Sequence, residues 1–334
     1  GNQYPPSRGT PELRAAAAAF YNRFDGLALT ADHVVVTSGA TEAITAALMA
    51  VITPGDEVIV IEPAYDAYRP LIQRLGGVVR AVSLAPPNWR LTLEALEAVV
   101  TSRTRALVFN NPLNPAGRAF DRHEVEAAAE VCRRHDLVVV SDEVWERLVY
   151  DDRQHISLSA MPGMFERTLK IGSAGKLFGL TGWKVGFMVG DGALLEAAAK
   201  AHQYIAFSTA PHLQIAVAEG LAWPTERFAA QASTLARSRD CLAAALRAEG
   251  FVVLPSEATY FLCIDLKASG VRAGTAAFAD RAAKEHGVAG IPVSAFMSSQ
   301  AGDGVLRLCF AKPDAVLEEA ARRLGRARRA GIEG

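Results

Sequence analysis

Short runs rich in β-branched apolar residues return at 34–37, 57–61, 78–82, 105–109, 137–141, 169–171 and 185–189, and helical spacing fills 42–51, 64–75, 93–100 and 122–135 between them. A strand covered on one face alternates apolar and polar side chains, whereas one covered on both faces is apolar throughout. These runs are of the second kind. They predict an α/β layer, a mainly parallel sheet with helices on both faces. An earlier helix starts after Thr10, with Pro11 in its first turn and Glu12 near its positive end, and another is expected over 192–202. At Trp223-Pro224 the pattern changes to a long helical run reaching Glu249. Beyond it come strands at 251–254, 260–266 and 305–310 and helices at 275–286 and 314–329, as in a smaller α+β unit. The expected division is 1–223 for the large unit and 224–334 for the small one.

With 334 residues, 50 % of them hydrophobic and 21 % charged, the chain has enough apolar material for two such cores. A net charge of -1 argues against general nucleic-acid binding. The arginines at 322, 323, 326, 328 and 329 read as the solvated face of the last helix. Cys132, Cys241, Cys263 and Cys309 are far apart in apolar contexts and form no Cys-x-x-Cys pair, so they read as buried free thiols of a reducing compartment. No run of 18 apolar residues and no secretory leader is visible in the sequence. The expectation is a cytoplasmic chain with no membrane span.

In a parallel sheet, ligand groups gather at the carboxyl ends of the strands and at the helix N-termini that follow. Five stretches obey that rule. In Gly172 to Phe187, Lys176 sits in a loop of small residues, with Ser173 and Lys184 placed to face it and glycines 172, 175, 179 and 182 letting the backbone approach a bound group. It is either a desolvated amine able to attack a carbonyl or a plain surface lysine. A Walker phosphate loop is excluded by its spacing and by Leu177 where Ser or Thr is required. Ser38-Gly39-Ala40-Thr41 offers free backbone N–H groups and a hydroxyl, an anion site or a capped turn. Asn110 to Gly117 forms a rigid turn presenting Asn114. Asp142 ends a strand and needs a buried cationic partner. Tyr65 and Tyr68 open a helix and offer an aromatic face or core packing. An amine, an anion cradle, an acid, an amide and an aromatic plate are together what pyridoxal phosphate requires.

On these residues the chain resembles, over essentially its whole length, the class I aminotransferases of the fold-type I pyridoxal phosphate family, and most of all the kynurenine, methionine and aromatic aminotransferase subgroup. The likeness is carried by Asn2-Gln3-Tyr4, Ser38-Gly39-Ala40-Thr41, Asn114-Pro115-x-Gly117, Ser141-Asp142-Glu143, Ser173-Ala174-Gly175-Lys176, Gly182-Trp183-Lys184 and Leu306-Arg307-Leu308-Cys309-Phe310. It implies a seven-stranded large-domain sheet, pyridoxal 5'-phosphate as cofactor, and transfer of the amino group of an L-amino acid to a 2-oxo acid in two half-reactions. Lys176 would join the cofactor aldehyde and then act as the acid/base of the 1,3-proton shift. Asp142 would pair with the pyridine nitrogen, Tyr65 stack on the ring, and Asn114 bond its phenolic oxygen. Ala40, Thr41, Ser173 and Lys184 would hold the phosphate. Arg307 would fork onto the substrate α-carboxylate. Tyr4 would reach the phosphate of the neighbouring subunit, which implies a homodimer with shared active sites.

Three departures bear on this expectation. Trp145 stands three residues after Asp142, where the family usually has a tyrosine whose hydroxyl bonds the ring oxygen, and Met297 replaces a frequent tyrosine near the substrate. The family's N-terminal segment, which covers the substrate, is not in this sequence, and looser side-chain specificity is expected from its absence. A carbon–sulfur β-lyase on the same fold is one rival. A ligand-sensing aminotransferase-like domain is another, though it requires a basic helix-turn-helix ahead of Tyr4 that this sequence does not contain. No metal site is expected.

Overall fold

The computed structural model describes residues 3–333, so Asn2 of the first motif lies outside the described residues. Seven strands, β1 (Val34–Thr37), β2 (Glu57–Glu62), β3 (Val78–Ser83), β4 (Thr104–Asn110), β5 (Val138–Asp142), β6 (Thr168–Ser173) and β7 (Gly186–Val189), form one sheet in the order β1-β7-β6-β5-β4-β2-β3. The pairs β2/β3, β2/β4, β4/β5 and β5/β6 are parallel, and β7 alone runs antiparallel to both of its neighbours. The all-apolar runs have the predicted cause. Ile59, Ile61, Leu107, Phe109 and Val139 pack into a core on one face, while Val58, Val60, Ala106, Val108 and Val140 pack into another on the opposite face. Edge strand β3 differs, with Val78 44 % exposed, because only one neighbour covers it.

The first helix, Pro11–Asp25, is capped by the Thr10 hydroxyl and ended by left-handed Gly26. The expected helix over 64–75 is shortened to Tyr68–Arg74, because Pro63 and an open turn through Tyr65 occupy its predicted start. The expected helix over 192–202 runs Gly192–Ile205, and a helix at Pro211–Leu221 follows that the sequence pattern did not show. The long helix after Pro224 spans Thr225–Ala248.

A second sheet joins β8 (Val252–Val253), β9 (Phe261–Asp265), β10 (Ile291–Pro292) and β11 (Val305–Cys309) in the antiparallel order β10-β11-β9-β8. Helices Thr275–His286 and Asp314–Glu333 pack on it around Phe278, Leu306, Phe310 and Leu324. The arginines of the last helix are paired as well as solvated: Arg322 and Arg323 bond Glu319, and Arg329 bonds Glu249. The cysteines are free, but not all buried. Cys132 and Cys263 are, Cys241 is partly so, and Cys309 is exposed, because it ends β11 on the face away from the core. No helix among the described residues is long and apolar enough to cross a membrane.

Candidate active site

The carboxyl ends of β1, β4, β5 and β6 converge on one cavity lined by Ala40, Thr41, Tyr65, Asn114, Asp142, Trp145, Ser173, Lys176 and Lys184. Strand order brings these segments, far apart in sequence, side by side. An adjoining recess shares Tyr65, Asn114, Trp145 and Lys176 and adds Asp66, Phe261, Phe296 and Arg307. Of the predicted site residues, only Tyr4 stands apart. It is 84 % exposed on the surface, edge to face with Phe207.

Lys176 lies on a four-residue helical turn, Ala174–Leu177, rather than in an open loop. Its Nζ donates to the Tyr260 hydroxyl at 2.8 Å and stands 4.6 Å from the Trp145 ring centroid. Two of the four glycines of this motif, Gly172 and Gly175, serve the protein's own packing. A Cβ on Gly172 would strike the Tyr21 hydroxyl, one on Gly175 would press on Thr181, and Gly179 and Gly182 face open space. A different glycine is sterically required. A Cβ on Gly186 would lie 2.6 Å from the Gly39 carbonyl carbon and 2.8 Å from the Ala40 nitrogen, so β7 can run against the β1 turn only with glycine there.

That turn leads into helix Ala40–Val51, whose N-cap Gly39 has no side-chain cap. The first N–H groups of the helix are therefore open to an anion. A Cβ built on Gly39 would lie 3.3 Å from Lys184 Nζ, which puts the ammonium over this first turn. Lys184 holds a left-handed backbone, φ 54 and ψ 47, that side-chain-bearing residues seldom adopt. Thr41 Oγ1 lies 3.4 Å from the Tyr65 hydroxyl, which fixes Tyr65 at the cavity wall.

Asp142 is buried and, among the described residues, has no cationic partner of the kind its sequence context called for. Its carboxylate accepts from the Tyr68 hydroxyl and, at 3.3 Å, from the Val144 N–H. Tyr68 is thus a buried support for the acid and not a second aromatic plate. Burial pushes the Asp142 carboxyl up to about 6, against the pull of those two bonds and of the Lys176 charge. At neutral pH this is an ionised acid facing a cavity, short of a cation.

Arg307, on β11, bonds Asn114 Oδ1 at 3.0 Å and lies 4.1 Å from the Phe261 ring centroid and 4.7 Å from that of Phe296. The two rings fix the plane of the guanidinium. Burial draws its pKa down from the ordinary value. Tyr68 was expected as an aromatic face or core packing, and its bond to Asp142 had no signal beyond its place at a strand end. Phe261, Phe296 and Tyr260 were not expected at the site; they come from the second sheet and the segments beside its strands, whose placement over the first sheet is a matter of packing.

The donor set matches one cofactor in its chemistry. An amine, an acid lacking a cation, and an anion cradle of helix N–H groups with Ser173 and Lys184 answer the aldehyde, the ring nitrogen and the phosphate of pyridoxal phosphate. This fold and this site define a pyridoxal phosphate-dependent transaminase. Residues 1–324 match the family described as aminotransferase class I and II, and the chain belongs to it. It is 41 % identical over 335 residues to the protein named probable N-succinyldiaminopimelate aminotransferase of Mycobacterium tuberculosis, covering 97 % of this chain and 84 % of that protein. The solved structure of that enzyme superposes with a TM-score of 0.94 at 40 % identity, covering 98 % of this chain and 86 % of the other. The methionine aminotransferase of Escherichia coli is 37 % identical over 97 % of this chain and 84 % of its own length, and its structure gives a TM-score of 0.93. Human kynurenine–oxoglutarate transaminase 1 is 36 % identical over 95 % of this chain and 83 % of its own. These relatives are transaminases by name, which favours amino-group transfer over the lyase and the sensing domain.

Proposed function

We propose that this enzyme moves the amino group of an L-amino acid with a bulky apolar or aromatic side chain to a 2-oxo acid, with Lys176 as its acid/base. The observation that carries the reading is the meeting of Lys176, Asp142 and Asn114 in one cavity with Arg307 alongside. When bound, the cofactor supplies an electrophilic carbonyl carbon and an electron sink. Lys176 Nζ would be the amine that holds the aldehyde and, once released by substrate, would carry the proton from the substrate α-carbon across to the former aldehyde carbon. Asp142 would keep a proton on the ring nitrogen through charge pairing. Asn114, whose Oδ1 is bonded to Arg307, would offer its NH₂ to the ring oxygen. Tyr65 would stack on the ring, and Trp145 closes the cavity beside Lys176. The Ala40 and Thr41 N–H groups, the Ser173 hydroxyl and the Lys184 ammonium hold the phosphate. Arg307 receives the substrate carboxylate in a plane set by Phe261 and Phe296.

The substrate class rests on the recess beyond Arg307. Tyr65, Trp145, Phe261, Ile291 and Phe296 line it, and its one acid, Asp66, disfavours a second substrate carboxylate. The methionine and kynurenine named for two relatives agree with that lining. We further place residues 1–223 and 224–334 in two units, put the enzyme in the cytoplasm, and pair two subunits so that Tyr4 serves the neighbouring phosphate site.

Purified enzyme supplied with cofactor and 2-oxoglutarate is expected to turn over methionine or phenylalanine faster than aspartate. Lys176→Ala should lose at least about a thousandfold in kcat while retaining cofactor through the phosphate contacts. Undiminished turnover by that variant would contradict the assignment, and release of a thiol from a cysteine conjugate without an oxo acid would restore the lyase reading.

A further inference from the structure

Lys176 is held by a residue that neither its own motif nor the cofactor cradle supplies. Tyr260 immediately precedes β9 in the second sheet, and its hydroxyl accepts the Lys176 Nζ–H at 2.8 Å. The Trp145 indole stands edge to face against this phenol, centroids 4.5 Å apart at 89°. The lysine nitrogen lies over both rings, 4.6 Å from the Trp145 centroid and 5.1 Å from that of Tyr260.

The backbone that carries the phenol is fixed by contacts within the protein. Thr259 before it holds a left-handed backbone, φ 70, with its N–H bonded to the Leu148 carbonyl and its carbonyl accepting from the Tyr150 hydroxyl. The Tyr260 carbonyl accepts from the Phe310 N–H at 3.0 Å. A β-branched residue at positive φ persists only where its surroundings enforce it, and here both flanks do. Tyr260 is therefore a fixed post against which a flexible lysine is aligned.

We propose that Tyr260 is the positioning residue of Lys176, holding Nζ in place while it bears a proton, with Trp145 as its brace. The physical basis is that its contacts act most strongly on one form of the amine. A hydrogen bond from an ammonium is about twice as strong as one between neutral partners, and aromatic faces attract the cation alone. During proton transfer Lys176 is detached from the cofactor and free to swing, and that is when such a post is needed. This inference rests on Lys176 being the acid/base of the reaction.

The test uses the full chain freed of cofactor, with acetic anhydride as probe and peptide mass spectrometry as readout. Lys284, exposed and paired with Asp280 at 2.9 Å, is the internal reference. Tyr260→Phe keeps the ring and deletes the hydroxyl. The expected result is Lys176 acetylation at least about fivefold faster relative to Lys284, with an unchanged melting temperature. An unchanged ratio would make Tyr260 a packing residue only. If Tyr260→Phe folds poorly, Trp145→Phe, which keeps the hydroxyl and loosens its brace, is read the same way: a raised ratio supports the proposal and an unchanged one overturns it. Borohydride trapping of cofactor on Lys176 alongside an unchanged ratio would overturn this inference alone, whereas trapping elsewhere would overturn the functional reading beneath it.

Discussion

Asp142 shows how burial of one residue prepares the site. Its carboxyl titrates near 6 in the folded protein, above the ordinary carboxylate value, because desolvation outweighs its two hydrogen bonds. The folded state then holds this proton more tightly than the unfolded chain does, so stability is lost as pH rises between the two values, by roughly 3 kcal/mol at most. On the role proposed for Asp142, a cation brought by the cofactor ring would offset that loss. Cofactor-free protein should therefore melt at a lower temperature at pH 7 than at pH 5 in so far as Asp142 decides it, and Asp142→Asn should flatten that slope. Calorimetry across this range checks the sign, and a parent slope no steeper than that of Asp142→Asn would contradict it. This acid was legible from its place at a strand end, but its partner was not. It called for a cation, and the fold supplies the Tyr68 hydroxyl, because the side chains that reach a strand end depend on how the next helix begins.

Among the elements, β6 carries a buried charge that its neighbours must balance. Lys170 Nζ lies 2.8 Å from Asp25, 2.6 Å from Glu143 and 2.7 Å from Glu146, and His155 bonds Glu143 at 2.7 Å. Asp25, Glu146 and His155 lie close enough together to suggest a metal site, but the ammonium already supplies the cation there. Burial alone would raise the Glu143 carboxyl, yet Lys170 and His155 hold it down to about 2. Its stabilising share is thus complete above the ordinary carboxylate value near 4.5 and is lost as pH falls toward 2. Lys170→Met strands these carboxylates in the core and should cost about 3–5 kcal/mol, measured by urea unfolding at pH 7; a loss below about 1 kcal/mol would show that the cluster adjusts its own protonation. Strand β6 was legible because Leu169 and Ile171 are apolar. Lys170 between them was invisible as a core residue, since its acids come from distant elements. The turn bearing Lys176 was located by its glycines, while the reason for two of them, the contact of Gly172 with Tyr21 and of Gly175 with Thr181, became clear only from packing.

At the scale of the molecule, the order of the large sheet was readable in kind but not in detail: repeated buried runs implied a parallel sheet, whereas the antiparallel β7 and its place between β1 and β6 became clear only from the fold. Tyr4 at 84 % exposed, Tyr204 at 88 % and Ile215 at 60 % leave large apolar side chains uncovered. We predict that a second subunit covers this region, so that sedimentation gives twice the 35.6 kDa chain mass, and that Tyr4→Phe weakens cofactor retention by about tenfold or more through one lost phosphate hydrogen bond. A fully active monomer would contradict the pairing. The whole arrangement converges on one amine, among lysines that include the buried Lys170 and Lys184 over the first turn of helix Ala40–Val51. Borohydride reduction of the cofactor-loaded enzyme followed by peptide mapping reads which amine holds the cofactor. A single reduced adduct on Lys176, lost in Lys176→Ala, is expected; an adduct on Lys184 or Lys170, or one that survives the substitution, would overturn the assignment.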